Sequence, residues 1–279
     1  MRHEITGSKV GNHMLRDITI GQYYPADSVI HKLDPRTKLM ATLVYILSLF
    51  VFRNVAGFAA VTLALAVIIL LSKVPFGFMV KGLRAIVIIL VITAVFNLFL
   101  TPGEALVTFW KLKITKEGLK NAAFMTIRLI YLILGSSILT LTTTPNQLTD
   151  GMEKALRPFN KIHVPVHEIA MMMSIALRFI PILIEETDKI MKAQLARGAD
   201  FESGNLIKKA KAMVPLLVPL FVSAFRRAND LALAMEARCY HGGEGRTKMK
   251  PLKYRGMDGV AYLLIFGYFV AVILLRIWM

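Results

Sequence analysis

From Leu39 to Leu71 the chain is apolar almost throughout, broken only by Arg53 and Asn54. One helix over that stretch would be about 50 Å long at ~1.5 Å per residue, whereas the hydrocarbon core of a bilayer is ~30 Å thick. The stretch therefore predicts a hairpin of two spans turning at Arg53 and Asn54. Each arm is slightly shorter than the usual ~20 residues, so Lys38, Arg53 and Lys73 are expected to reach for the interfaces. Composition agrees, with 56% hydrophobic and 19% charged residues against roughly a quarter charged in soluble domains.

Three further spans are expected. The third runs from about Arg84 to Leu100, after a loop from Ser72 to Lys81, and ends at Thr101-Pro102-Gly103. Glu104 to Lys120 is amphipathic and charged and reads as a loop with some local structure. The fourth covers about Ala122 to Leu141 and contains Arg128, whose ordinary reading is snorkelling or pairing with a neighbouring polar group, although ionisable residues in spans also mark function. The fifth is Val260 to Ile277. The fold class is thus all-α, a polytopic membrane protein with about five transmembrane helices.

The formal charge of +16 has two competing explanations, nucleic-acid binding and the enrichment of Lys and Arg in cytoplasmic loops. The apolar runs decide for the second. Lys73, Lys81 and Arg84, and then the basic region from Lys154 to Arg255, place the N-terminus and that region in the cytoplasm. Lys111, Lys113 and Lys116 on the other side, partly offset by Glu104 and Glu117, run against this. Four divisions follow: residues 1–13, polar and patternless before a second possible start at Met14, as a leader or vector-derived segment; 14–143 as an N-terminal membrane domain of about four spans; 144–256 as a cytoplasmic module of long helices; and 257–279 as a C-terminal transmembrane helix. The single cysteine, Cys239, excludes an internal disulfide and a CxxC metal site.

Two shorter signals mark helix starts. Asp34 can cap a helix whose first residue is Pro35. Thr144-Pro145-Asn146-Gln147 opens a helix through Leu156, closed by Arg157-Pro158, with Leu148, Met152, Ala155 and Leu156 on one face for a membrane surface or a neighbour.

From Val166 the character changes. A helix to Arg197 is apolar ahead of Pro181, which should kink it, and charged behind it at Glu185, Glu186, Asp188, Lys189 and Lys192. A second, about Leu206 to Arg238, starts on Lys208, Lys209 and Lys211, bends at Pro215 and Pro219, and carries Arg226, Arg227, Asp230 and Glu236 near its end. The first stops at Ala196-Arg197-Gly198 and the second at Ala237-Arg238-Cys239. One such ending has an ordinary explanation, because cations favour helix C-termini and Gly commonly follows them. Two of them, ending consecutive helices, present rigid forks of donors suited to a carboxylate on another protein, with small flanks that let a backbone approach. Met171-Met172-Met173 reads as packing. The linker Arg246 to Arg255 would attract anionic lipid headgroups.

No catalytic, cofactor or metal site is expected. His163 and His167 are four apart but have no acidic or cysteine companion in a metal-binding pattern, and Pro165 separates them. No Ser/His/Asp arrangement and no Gly-rich nucleotide loop occurs.

The segments HKLDPRTKL, TTTPNQLTDGMEKAL, HEIAMMMSIALRFIPILIEETDKIMKAQLARGADF and AMEARCY resemble the transmembrane T component of energy-coupling factor transporters, over nearly the whole chain from about Leu15. The resemblance implies a complex in which this chain, with no catalysis and no cofactor of its own, joins two ABC-type ATPases to a small membrane subunit that captures a vitamin or metal ion. ATP would be bound by the ATPases. It further implies that the two long helices are crossing coupling helices. Arg197 and Arg238 would dock one ATPase each, flanked by Ala196, Gly198, Ala237 and Cys239. Cys239 stands where the family often has Gly, which weakens a left-handed cap there. Localisation would be the plasma membrane of a prokaryote.

Two other classes compete. A stand-alone carrier or intramembrane enzyme would need several polar groups inside spans, where Asn97 and Arg128 are almost all there is. Membrane-anchored nucleic-acid binding would need basic residues interleaved with exposed aromatics, and the linker after Tyr240 is short of them.

Overall fold

The computed structural model describes residues 23–51, 55–84, 86–103, 105–109, 112–201, 205–243, 249 and 251–278. The expected leader 1–13 and the hairpin turn at Arg53 and Asn54 lie outside the described residues, as does much of the basic linker. The chain divides into two compact units. One comprises residues 21–155 and 252–279, and the other comprises residues 1–20 and 156–251.

The first unit is built from α1 (Val29–Lys32), α2 (Pro35–Val51), α3 (Val55–Ser72), α4 (Phe76–Arg84), α5 (Val87–Leu100), a strand pair β1 (Ala105–Phe109) and β2 (Leu112–Thr115), α6 (Lys116–Thr142), α7 (Pro145–Leu156, its last residue at the boundary) and α10 (Gly256–Trp278). Three expectations are corrected. The loop from Ser72 to Lys81 holds the start of α4, because Pro75 precedes a run whose Met79 is fully buried beside Val74 in the core. Of the charged stretch from Glu104 to Lys120, residues 105–109 and 112–115 pair as antiparallel strands with Phe109 opposite Leu112, as their β-branched and aromatic content allows. Thr115 then caps α6 by accepting from the Gly118 N–H at 3.0 Å, so the fourth helix begins at Lys116 rather than near Ala122.

Helices α3, α6, α8 (Val166–Ala196) and α10 are long and apolar enough to cross a membrane, and the bent pair α4 and α5 adds a fifth candidate. The chain is therefore an all-α polytopic membrane protein with one small hairpin among the described residues. Helix α2, with 17 residues, is the shortest of the other expected spans except α5, and its first turn carries Arg36 and Lys38.

Leu49, Val61, Met79, Ile138, Leu141 and Val272 centre the core of this unit. Gly135 of α6 lies against the Tyr45 ring of α2, where a Cβ has no room. Tyr45 donates its hydroxyl to the Tyr131 carbonyl at 3.2 Å. Arg128 of α6 stands 5.7 Å from the Phe50 ring centre and 5.8 Å from that of Phe58, so its charge is met by aromatic faces from α2 and α3. Such contacts are worth about 0.5–2 kcal/mol, and lysine does not reproduce the planar stacking. Arg128→Lys should lower the melting temperature of the solubilised chain by a few degrees, and Arg128→Leu by more; a variant melting with the parent would contradict this role.

The motif around Asp34 is the polar anchor of the unit. Asp34 caps α2 as expected, its Oδ1 accepting from the Arg36 N–H at 2.9 Å. Asp258, in the first turn of α10 and 1% exposed, accepts from the Asp34 N–H at 2.8 Å, the Thr37 hydroxyl at 3.3 Å and the Arg255 N–H at 2.7 Å. Arg36 donates to the Leu252 carbonyl at 3.1 Å and stacks 4.4 Å over Tyr254. Lys38 donates to the last carbonyl of α6, that of Thr142, at 2.8 Å, and to that of His31 at 3.2 Å. The starts of α2 and α10 and the end of α6 are thus tied through one buried cluster. Beside it, His31 Nε2 lies 3.0 Å from the Tyr24 carbonyl, which can only accept, so the ring proton sits on Nε2 and the Ser28 hydroxyl donates to Nδ1 at 2.7 Å. Burial holds that imidazole below its ordinary range. Helix α7 starts as the sequence predicts: Thr144 and Gln147 exchange backbone-to-side-chain bonds at 3.2 and 3.3 Å, a capping box around Pro145.

Candidate functional site

The second unit consists of a 3-10 turn, Arg157–Ile162, followed by α8 and α9 (Leu206–Ala237). Both long helices run continuously through their prolines, Pro181 in α8 and Pro215 and Pro219 in α9. They pack against each other, and three links define how. Arg227 Nη2 lies 3.2 Å from Glu186 Oε2. Gln194 Nε2 donates to the Pro215 carbonyl at 3.3 Å. Gly243, just past α9, lies against the His167 ring near the start of α8. As the α8 residue number rises from 167 through 186 to 194, its partner falls from 243 through 227 to 215, so the helices are antiparallel.

That register separates the two arginine endings. Arg197 closes α8 beside the early part of α9, and Arg238 closes α9 beside the early part of α8. At ~1.5 Å per residue the two tips are roughly 35 Å apart. The spacing has a second consequence. The arginines are 41 positions apart (238 − 197), and the ion-paired Glu186 and Arg227 are also 41 apart (227 − 186). Each member of the ion pair lies 11 residues before its own tip (197 − 186 and 238 − 227). In an antiparallel pair this puts the ion pair on an approximate two-fold axis, with the tips at equivalent positions at either end.

The endings themselves are built alike. At the first, the Ala199 N–H donates to the Gln194 carbonyl at 3.0 Å and the Gly198 N–H to that of Leu195 at 3.0 Å. At the second, Tyr240 N–H donates to Met235 at 3.0 Å and Cys239 N–H to Glu236 at 2.9 Å. Both are the same Schellman cap, with the residue after each arginine in the left-handed region. Gly198 has φ 87° and Cys239 has φ 55°. Cys239 therefore takes the glycine's conformation, which corrects the expectation of a weaker cap at that end. Both arginine side chains are exposed, and nothing lies within 4 Å of where a Gly198 Cβ would stand.

Left-handed backbone costs an L-residue about 1–2 kcal/mol. Gly198→Ala should therefore open the first cap, speeding amide exchange at Gly198 and Ala199 about tenfold, since 1.4 kcal/mol is a factor of ten. Cys239→Gly should leave the second cap intact or slow its exchange, whereas Cys239→Val should open it. Equal exchange in all variants would contradict this account of the tips.

The methionine run departs from its expected role. Met172 and Met173 are exposed and Met171 is half-buried, so two methionines of the run are surface rather than packing residues in this chain. Among the described residues no group of three or more His, Cys, Asp or Glu could hold a metal ion. In the other unit, a cavity of about 490 Å³ is walled by Leu33, Ala41, Leu65, Ile68, Leu139 and Leu264. Among its polar members, Lys38, Tyr45 and Tyr268 are bonded to protein groups, as are Thr37, Thr42 and Thr142. The helix links at Glu186, Gln194 and Gly243 were not legible in the sequence; the equal 41-residue offsets were the one signal that could have pointed to them.

The comparisons with known proteins return a family of membrane transport components. Residues 26–249 match the CbiQ family, described as Cobalt transport protein. The chain is 58% identical to the energy-coupling factor transporter transmembrane protein EcfT of Clostridium kluyveri, over 95% of this chain and 99% of that one. It is 55% identical to EcfT of Thermosediminibacter oceani, over 89% and 94%, and 50% identical to EcfT of Bacillus subtilis, over 88% and 93%. The chain belongs to this family of transmembrane components of bacterial energy-coupling factor transporters.

Proposed function

We propose that this chain is the non-catalytic coupling subunit of an energy-coupling factor importer, docking two ABC ATPases through Ala196-Arg197-Gly198 and Ala237-Arg238-Cys239. The observation that carries the proposal is the pairing of identical caps, each behind an exposed arginine, at the two ends of an antiparallel helix pair with an approximate two-fold axis. A two-fold pair of ATPases has two equivalent grooves, and a ligand with equivalent tips matches that symmetry. Each guanidinium offers a planar fork to a carboxylate, and the cap holds the backbone rigid behind it.

ATP bound by the ATPases drives the cycle, and this chain needs no cofactor. Movement of the ATPases passes through α8 and α9 to a small membrane subunit that captures the cargo, a vitamin or a metal ion. The exposed apolar residues Val214, Val218, Phe221, Val222 and Phe225 of α9, recurring at helical spacing, offer that subunit or the lipid around it a continuous face. The excess of Lys and Arg from Lys154 to Arg255 supports a cytoplasmic side for the N-terminus and coupling helices.

Copurification tests the reading. A tagged chain with Arg197→Lys or Arg238→Lys should retain less ATPase than the parent, because an ammonium cannot make the bidentate contact. Full retention by both lysine variants and by both alanine variants would contradict it.

A further inference from the structure

Pro219 has no N–H, so the carbonyl four residues earlier in α9, that of Pro215, has no intrahelical donor. The side chain of Gln194 donates to that oxygen from α8. A neighbouring helix commonly supplies a partner where proline has removed one. Pro215 likewise withholds the donor that the Lys211 carbonyl would take. The segment from 211 to 219 is therefore short of two intrahelical donors, a recognised cause of bending in helices.

Gln194 also adjoins the first tip, through its main chain alone. It lies three residues before Arg197, and its backbone carbonyl accepts the Ala199 N–H that closes the cap. One residue thus holds the tip with its main chain and the opened turn of α9 with its side chain.

We propose that Gln194 is a positioning residue that carries displacement of the Arg197 tip into the proline-opened segment of α9, so that the two helices respond together when an ATPase moves one of them. This rests on the docking reading above. The link exists because Pro219 leaves the Pro215 oxygen open; with a donor restored at residue 219, that oxygen returns to its own helix and the link weakens.

The test uses the full chain with its ATPase pair in nanodiscs of phosphatidylglycerol and phosphatidylethanolamine, with four chains: the parent, Gln194→Glu, Pro219→Ala and the double variant. Glutamate has glutamine's shape but only accepts hydrogen bonds when ionised, so packing is kept and donation is lost. Two quantities are read in the same samples: ATPase retention, and the change in amide exchange over residues 208–222 on adding ATP with vanadate. Retention should stay within twofold of the parent for all four chains. The ATP-dependent change should fall about fivefold in Gln194→Glu, as loss of ~1 kcal/mol of hydrogen bonding implies, and fall in Pro219→Ala, with the double variant no worse than the lower single.

An unchanged response in Gln194→Glu, or additive effects of the two substitutions, would overturn the proposal. So would loss of ATPase retention in Gln194→Glu, which would make it a docking residue. Failure of the docking reading is seen separately, as undiminished retention by a chain carrying both Arg197→Ala and Arg238→Ala, run alongside.

Discussion

Replacing Arg197 and Arg238 together by alanine should release the ATPase pair and abolish ATP-driven uptake while leaving the chain folded in the membrane. Truncating one buried, hydrogen-bonded arginine at an interface costs about 2–5 kcal/mol, and each ~1.4 kcal/mol is tenfold in affinity. One tip is thus worth roughly 30-fold to several thousand-fold. The tips are far enough apart for their effects to add, but the two sites are also joined through one helix pair. A single substitution leaves the other tip holding the complex, so each single variant should lose about half of the double variant's effect in binding free energy but much less than half in the ATPase retained. The fold should survive because both side chains are exposed and the caps are made by backbone groups.

The second large effect is expected at Asp258. Its carboxylate accepts from the backbone of Asp34 and Arg255 and from the Thr37 hydroxyl and is almost wholly buried. Asp258→Ala would leave three donors unpaired and remove a negative charge from a cluster that contains Arg36 and Lys38. Breaking a buried charged network from one side typically costs about 3–5 kcal/mol. At a few degrees per kcal/mol for a chain of this size, the melting temperature of the solubilised protein should fall by on the order of 10 °C. Asp258→Asn keeps one acceptor and should fall by less. A pair of variants melting with the parent would mean that the start of α10 is not held by this cluster. The two large predictions are separable, since one removes partners without unfolding and the other unfolds without touching the tips.

The two predictions also differ in how visible they were in the sequence. The arginine endings could be read directly, because helix termination is local chemistry: a cation, a small residue, and the end of an apolar period. The capping of α2 by Asp34 and of α7 by Thr144 and Gln147 was legible for the same reason. What held Asp258 was not, since two of its three partners are 221 and 224 positions away along the chain and nothing in the local pattern marks a buried aspartate in the first turn of a span. The short strand pair of residues 105–109 and 112–115 was hidden by its charges, which suit a loop as well as strands. Cys239 is the instructive case. Residue type argued against a left-handed cap, but the hydrogen bonds from Cys239 and Tyr240 impose it, so the second tip matches the first more closely than its sequence implies. The antiparallel register was beyond local reading altogether, because it depends on which side chains meet across two helices.

The central claim is that the two tips engage two separate ATPase subunits. The most direct measurement places a photo-crosslinking residue immediately after each cap, at Ala199 and at Tyr240, singly and together, and weighs the products of irradiating the assembled transporter. Each single chain should acquire one ATPase, and the doubly labelled chain should acquire two. A doubly labelled chain that never carries more than one ATPase, or tips that crosslink to none, would contradict the account.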